Sequence, residues 1–517
     1  MGGRNSRNAR LRLLAVVLAG AGFAWALLLP AAAAADPQPF MGAASPPPGP
    51  IAAPAQPAPQ GLGILKSTPD IGVVGTPFTL TGEGLPPSRD VEVVWSTGKG
   101  SYLMNPLADT VEYLGRQLEP LDVVLAKART DAQGKLRVDL NVPEDYGSLH
   151  DIYVVSDGVQ LAKGGYLVNR SYEITPKKGP IGAPVTIKVT GLGWKPYEST
   201  ATVMWDNRYA GFLSATSTRG TAIAQIRAAG PVGRHTLEII PASHAVPYLD
   251  IEQSAVFFVG KYSTTFRVTK DVGAAPAVLD WPEPVEPAAV QQTTLTLGNA
   301  AGVSAGLSSE SGPILSKVDV KASGLAADAP VDLRWVTAVG TRARASGWLL
   351  ATLPLGQAKA EPDGSLKASF QVPDNLGGWH AVQLLQEGKV KAEVPYYVER
   401  SFVSVTPQKV KAGERFEINL KGIGWTELDN GYAITYDNGY IGYACGFYSK
   451  GDITMNLVAS GEPGTHLIDL YPMLYKGKSY TDLWSPQTPM LTFKRDFPGL
   501  ALGYRLPAIR LAIEVVE

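Results

Sequence analysis

Five histidines among 517 residues are the first candidates for chemistry. An imidazole is a metal ligand and a general base near neutral pH, so its placement decides what kind of site is open to the chain. Four of the five recur in one setting, after a turn with glycine and before an alternating stretch. They read Leu149-His150-Asp151-Ile152-Tyr153, Arg234-His235-Thr236-Leu237, Trp379-His380-Ala381-Val382 and Thr465-His466-Leu467-Ile468. One histidine at one position of each repeated module keeps the four far apart, so they cannot converge on one ion. Each is expected to bond a turn carbonyl through a ring nitrogen. His244 stands alone.

Two Asp-Asn pairs come next, Asp206-Asn207 and Asp437-Asn438. Their oxygens suit a hard cation such as calcium, but one carboxylate per loop makes a poor cage. Tyr436-Asp437-Asn438-Gly439-Tyr440 is also what a tight hairpin requires, with Asn-Gly expected at the positive-φ positions. Aromatic residues gather round both turns: Trp194, Tyr197, Trp205, Tyr209 and Phe212, then Trp425, Tyr432, Tyr436, Tyr440, Tyr443, Phe447 and Tyr448. On a strand, alternate side chains point inward and form core, and the rest are free to make a flat face that stacks on sugar rings or anchors a protein. Trp194, Tyr209, Trp425, Asp437, Asn438 and Tyr440 are the expected contact residues.

Enzyme signatures are scarce. The chain has no His-Glu-x-x-His, no Gly-x-Ser-x-Gly and no Gly-x-x-x-x-Gly-Lys-Ser/Thr. Ser96-Thr97-Gly98-Lys99 has Ser-x-x-Lys spacing, but it follows a strand and lacks a Lys-Thr-Gly partner. A glycosidase needs only two carboxylates at a set distance, which no linear motif excludes. No cofactor is expected, and the chain is read as a non-enzyme.

The elements that position these residues are stated twice. Ala128-Arg129-Thr130-Asp131 and Gly134-Lys135-Leu136 correspond to Ala358-Lys359-Ala360-Glu361 and Gly364-Ser365-Leu366, an offset of 230. Gly191-Leu192-Gly193-Trp194 corresponds to Gly422-Ile423-Gly424-Trp425 at an offset of 231. A duplication this long marks an array of modules. Each copy divides again. Pro69 to Pro77 and Pro176 to Pro184 both read Pro-x-x-Gly-x-x-Gly-x-Pro before an alternating run, Phe78-Thr79-Leu80-Thr81 or Val185-Thr186-Ile187-Lys188-Val189. That period of two is a half-buried strand. Each run ends in glycine, and an aromatic closes the next strand: Trp95, Trp205, Trp335 and Tyr436. Such a residue is a natural plug between two packed sheets.

The Pro/Gly opening, the alternating strand and the Gly-x-Gly before an aromatic resemble the IPT/TIG-type immunoglobulin-like domains of bacterial secreted and surface proteins. The third module lacks that opening and reads Leu315-Ser316-Lys317-Val318. The resemblance implies an all-β chain of four tandem immunoglobulin-like β-sandwiches, arranged as two copies of a two-module unit. The expected divisions are a signal peptide at 1–35, a Pro/Ala-rich spacer at 36–60, and modules at 61–171, 172–270, 313–400 and 401–517. A linker is expected at 271–312. Leu107, Val111, Leu114 and Leu118 sit at helical spacing in 103–128, where a hairpin with an insertion, and a short helix within it, is expected.

Address and partner follow from the ends and the charge. Arg4, Arg7, Arg10 and Arg12 precede an apolar run from Leu13 to Leu29, and Ala33-Ala34-Ala35 offers a cleavage site. The expected location is therefore secreted, extracellular or periplasmic, with membrane contact only through this segment if it is uncleaved. Loss of the four arginines takes the formal net charge from −1 to −5, which argues against nucleic acid. The single cysteine, Cys445, rules out an internal disulfide and is expected as a small buried residue. The expected function is surface recognition of a glycan or protein at the cell envelope. Paired modules would offer two similar sites whose weak contacts add by avidity. Two alternatives stay open: a carbohydrate-active or other hydrolytic enzyme with immunoglobulin-like accessories, and a self-associating structural subunit of a surface layer or envelope complex. N-terminal sequencing of the chain exported from a bacterial host is expected to begin at Asp36. A mature chain that retains Arg4 to Arg12 would contradict the signal.

Overall fold

The computed structural model describes residues 61–107, 110–195, 198–242, 245–250, 261–284, 298–341, 347–448, 450–475 and 487–517. The expected signal and spacer, Tyr197 and His244 lie outside the described residues. The fold is all-β and immunoglobulin-like, with seven sheets among the described residues. The alternating runs form strands with the burial that a period of two demands. In Lys317–Ser323 and Arg415–Lys421 every second side chain is buried. Thr200–Trp205 and Gly431–Tyr436 are buried at every position. A strand covered on both faces carries packing on its outer side as well as its own core.

Residues 171–268 form sheets of five and three strands, and residues 304–399 form another such pair. Residues 401–516 form a three-stranded sheet and five strands of a six-stranded sheet, whose sixth strand is Val278–Asp280. In 63–169, Gly63–Thr68 joins the two layers, pairing antiparallel with Pro77–Gly82 and parallel with Val159–Asn169. Trp95, Trp205, Trp335 and Tyr436 fill the centres of four apolar clusters, as the aromatic spacing implies. The stretch expected as a linker is partly built into the sheets. Val278–Asp280 pairs with Ala508–Val516, Ser304–Leu307 with Lys317–Ser323, and Ser311–Pro313 with Lys389–Glu399. The opening strand of the third module therefore precedes Leu315, which is why its signature was missing there.

Residues 103–128 contain no helix among the described positions. Asp90–Pro106 and Val111–Arg129 form one long antiparallel ribbon. Val111 and Tyr113 near its tip are buried among residues of the second and fourth modules, while Leu103, Leu107 and Leu114 face outward. The helical spacing of leucines reflects this mixture of docked and exposed ribbon positions.

Within each copy the two modules meet without slack. The Gly147 N–H donates to the Leu192 carbonyl and the Gly377 N–H to the Ile423 carbonyl, both at 3.0 Å. A Cβ on Gly147 would lie 2.0 Å from the Gly191 oxygen, and one on Gly377 would lie 1.8 Å from the Gly422 oxygen. Arg170 and Arg400, at equivalent positions, donate across the same junctions to the carbonyls of Glu198 and Asp429.

The copies are joined by residues 487–507, a stretch inserted between the last two strands of the fourth module. Its apolar side chains Met490, Leu491, Phe493, Phe497, Leu500 and Leu506 share one buried cluster with residues of all four modules. Trp379 Nε1 of the third module donates to the Leu502 carbonyl at 3.1 Å, and the Tyr397 hydroxyl to that of Arg505 at 3.0 Å. The Asp496 carboxylate, 1% exposed, accepts from Tyr102 of the ribbon at 2.9 Å. It also accepts from Ser214 Oγ at 2.6 Å, Thr216 N at 2.9 Å and Ser217 N at 2.8 Å. Burial and the nearby Asp496 charge push the Tyr102 phenol well above its ordinary value, keeping it a neutral donor. Asp496→Ala would strand those donors in a dry cluster and is expected to cost about 3 kcal/mol or more in urea unfolding. The transition should also broaden or split, because the modules lose their common partner.

Candidate functional site

The four histidines form one device, repeated. Each ring nitrogen Nε2 faces the carbonyl four residues earlier: Tyr146, Pro231, Leu376 and Glu462, at 2.7–2.9 Å. His150, His235 and His380 stack on Trp95, Trp205 and Trp335, and His466 lies tilted against Tyr436. Nδ1 separates the modules into two kinds. In the first and third it faces the carbonyls of Ser96 and Val336. In the second and fourth it faces the carboxylates of Asp206 and Asp437, both at 2.6 Å. These aspartates are the acids of the Asp-Asn turns, 29 residues before their histidines. The fixed interval is a signal in the sequence that single-residue reasoning passed over. An Asp–His dyad is part of a catalytic triad, but here Nε2 is already held by a carbonyl and has no lone nucleophile to activate. Among the described residues no three His, Cys, Asp or Glu side chains gather as metal ligands.

The turn itself differs from expectation. Asp437 and Asn438 take φ of 47° and 62°, and Asp206 and Asn207 take 49° and 61°. Tyr436 pairs with Gly439, so Asp-Asn forms the two-residue turn and Gly439 opens the next strand. Asp437 accepts from the Leu467 N–H at 2.9 Å, and Asn438 Nδ2 donates to the Arg227 carbonyl at 2.7 Å.

The other expected contact residues are similarly engaged. Trp425 is buried beside His380, with Ala338, Trp348 and Leu376. Trp194 is half-buried on the turn after Gly193. Tyr209 and Tyr440, at equivalent positions of the repeat, meet edge to face at 6.1 Å. The Tyr209 hydroxyl donates to the Ala245 carbonyl, and that of Tyr440 to the Gln487 carbonyl at 2.8 Å. Burial pushes the Tyr440 phenol up to about 12. The second and fourth modules thus touch through equivalent positions of the repeat. Within the expected set Trp425, Asp437 and Asn438 are buried because they face neighbouring modules or strands rather than solvent, while Trp194, Tyr209 and Tyr440 are half-buried.

An exposed face does exist, farther along the same strand. Gly439–Cys445 lies at the edge of the six-stranded sheet. Ile441 is 51% exposed, Tyr443 48% and Tyr448, in the following loop, 73%. Tyr475 lies 6.3 Å from Tyr443 and 5.6 Å from Phe447, ring centre to ring centre, and extends the patch. Cys445 is half-buried rather than buried, because an edge strand leaves one side open. Tyr443, Phe447 and Tyr448 were legible as part of the aromatic run, but which members faced outward was not. The second module's equivalent strand, Arg208–Ser214, is not open in the same way. The Phe212 N–H donates to the Pro489 carbonyl and the Leu491 N–H to the Phe212 carbonyl, both at 3.0 Å. Phe212 and Met490 form a parallel bridge. The expected pair of similar sites is therefore asymmetric.

No family model and no curated protein matches the chain. Solved structures with a similar fold include the ICAM-5 D1–D4 ectodomain fragment, at 10% identity over 88% of this chain and 100% of that one, TM-score 0.16. The Escherichia coli adhesin FdeC is 10% identical over 65% of this chain and 96% of that one, TM-score 0.15. Salmonella alpha-2-macroglobulin reacted with methylamine is 9% identical over 86% of this chain, which spans 30% of that protein, TM-score 0.16. At such identities and scores the likeness is of fold alone.

His380 and His466 should titrate apart. Burial between two carbonyls lowers His380 from 6.5 to about 4. For His466 burial opposes the charge, but Asp437 and the Glu462 carbonyl outweigh it and raise the pKa above 6.5. The contribution of His466 to stability is full below 6.5 and lost as pH rises through its folded value. That of His380 is present above 6.5 and lost as pH falls toward 4. Histidine Cε1–H NMR titration should resolve the two, and Asp437→Asn should lower the His466 midpoint while leaving His380 unchanged.

Proposed function

We propose that the chain is a non-enzymatic binding protein that acts outside the cytoplasm, with its four modules held as one rigid mount. The observation that carries this is the apolar aromatic face on the edge of the fourth module. Tyr443, Phe447 and Tyr475 pack ring against ring, and Ile441, Tyr443 and Tyr448 are exposed on the same strand and the loop after it, large apolar side chains of the kind enriched where proteins meet partners. Its setting supports the same reading. The strand below it is anchored by Tyr440 and the Asp-Asn turn, so the face is presented without the cost of ordering a loop. In the Asp–His pairs both ring nitrogens are engaged, Nδ1 by the aspartate and Nε2 by a backbone carbonyl, so these histidines are not free to act as general bases. The alternating openings fit the IPT/TIG kind of module, and the N-terminal arginines, apolar run and Ala33-Ala34-Ala35 fit export. The partner belongs to the cell envelope, as a glycan or a protein.

The test is a parallel screen of the full chain against a glycan array and an envelope-protein array, beside a Tyr443→Ala/Tyr448→Ala variant. Binding to one class is expected to fall tenfold or more in the variant, a change of roughly 1.4 kcal/mol. Trp425→Ala, by contrast, should lower stability by about 3 kcal/mol through the cavity it leaves. Binding that is indifferent to Tyr443 and Tyr448 would remove the site from this face.

A further inference from the structure

We infer that the edge strand Gly439–Cys445 is a docking site for an extended, uncharged apolar peptide of a partner protein, which adds to the sheet as a parallel strand centred on Tyr443. The inference rests on the proposed recognition role and names the partner's chemistry. It is carried by the repeat. The equivalent edge, Arg208–Ser214, already holds one parallel bridge of this kind, supplied by the chain itself: Pro489-Met490-Leu491, centred on Phe212. Its occupant is short and without charge, and it gives Phe212 both main-chain bonds before turning away after Met490.

The two edges match in the details that matter for strand addition. Phe212 lies across from Thr202, and Tyr443 across from Ala433, positions related by the same offset of 231. Both strands carry a bulge one step earlier, with Gly211 at φ 147° and Gly442 at φ 145°. The backbone N–H and carbonyl of Tyr443 are therefore directed away from the sheet, as those of Phe212 are. Among the described residues Gly439–Cys445 pairs only with Gly431–Tyr436, and none of those residues lies as a strand beside the outward N–H and carbonyl of Tyr443.

The side chains around that row select what can fill it. Ile441, Tyr443, Tyr448 and Tyr475 carry no charge and are partly or largely exposed. A peptide lying along the strand would take its main-chain bonds from Tyr443 and place alternate apolar side chains on this patch, while acidic or basic residues there would lose hydration without a partner. The site is also continuous with an established interface: the same strand starts at Gly439, beside Arg208, and Tyr440 bonds the Gln487 carbonyl just ahead of the segment that covers Phe212.

The probe is a fluorescein-labelled Thr-Pro-Met-Leu-Thr-Phe hexapeptide, the sequence of residues 488–493. It is titrated into the full chain by fluorescence anisotropy. Saturable binding is expected, with affinity reduced about tenfold or more by Tyr443→Pro, which removes the outward N–H at an edge where proline is tolerated. Tyr443→Lys places a charge on the edge and should reduce binding similarly, and circular dichroism confirms that each variant is folded. A probe in which Met and Leu are replaced by Asp and Lys should not bind. Absence of probe binding overturns the inference, as does binding that survives both Tyr443 variants. If the probe fails while glycan or envelope binding still depends on Tyr448, only strand addition falls. If no ligand of any class depends on the face, the recognition reading falls with it.

Discussion

One carboxylate fixes the assembly. Asp496 is buried, and its two oxygens take hydrogen bonds from the ribbon of the first module and from the strand end and following loop of the second. A buried carboxylate is tolerable only when its lone pairs are met, so the charge holds its partners in place as firmly as they hold it. Around it, residues 487–507 contribute side chains to a cluster that includes all four modules. Sandwich modules in a row usually meet over small polar contacts and flex. Here the inserted segment gives them a common core, and the glycine contacts at Gly147 and Gly377 remove slack within each copy.

The duplication explains both the symmetry and its breaking. Tyr209 against Tyr440 is a contact of equivalents, and the Asp–His pair recurs in the second and fourth modules, on tryptophan in one and tyrosine in the other. The copies part where they meet the rest of the chain. Pro489-Met490-Leu491 closes one edge strand and leaves its counterpart with an exposed apolar face. A buried charged network adds to the same side, with Arg227 on Asp469, and Arg510 between Asp469 and Asp280. The ion pairs tie the second module and the bridging strand to the fourth, so the difference between copies is fixed by packing.

Much of the fold was legible because its signals are local. Alternation announced the strands, glycine marked their ends, and Trp95, Trp205, Trp335 and Tyr436 stood where sheet centres require bulk. The carbonyl-bonded histidines followed from their turn context. What the sequence concealed depends on distant partners. Trp425 and Asn438 look like surface residues of a module and become interior only when a second module arrives. The Leu107 to Leu118 spacing suggested a helix because a ribbon that docks at its tip need not alternate cleanly. The Asp–His interval of 29 was visible but carries no meaning until a hairpin folds the two together. Residues 487–507 have no counterpart in the repeat, so comparison of the copies says nothing about them.

The bond from Tyr102 to Asp496 spans 394 residues of chain. Each sandwich can close around its own tryptophan or tyrosine, but the apolar tip at Val111 and Tyr113 gains its cover only once the last module has formed. Non-local closure of this kind is slow, since chain entropy is surrendered before the contacts reward it. During synthesis the first three modules wait with a greasy flank uncovered, and residues 487–517 are what convert them into one body. Residues 487–516 are thus the keystone in time as well as in space: without them the fourth sandwich lacks the strand Ala508–Val516 that its sheet is built on, and the other three lose their common cover.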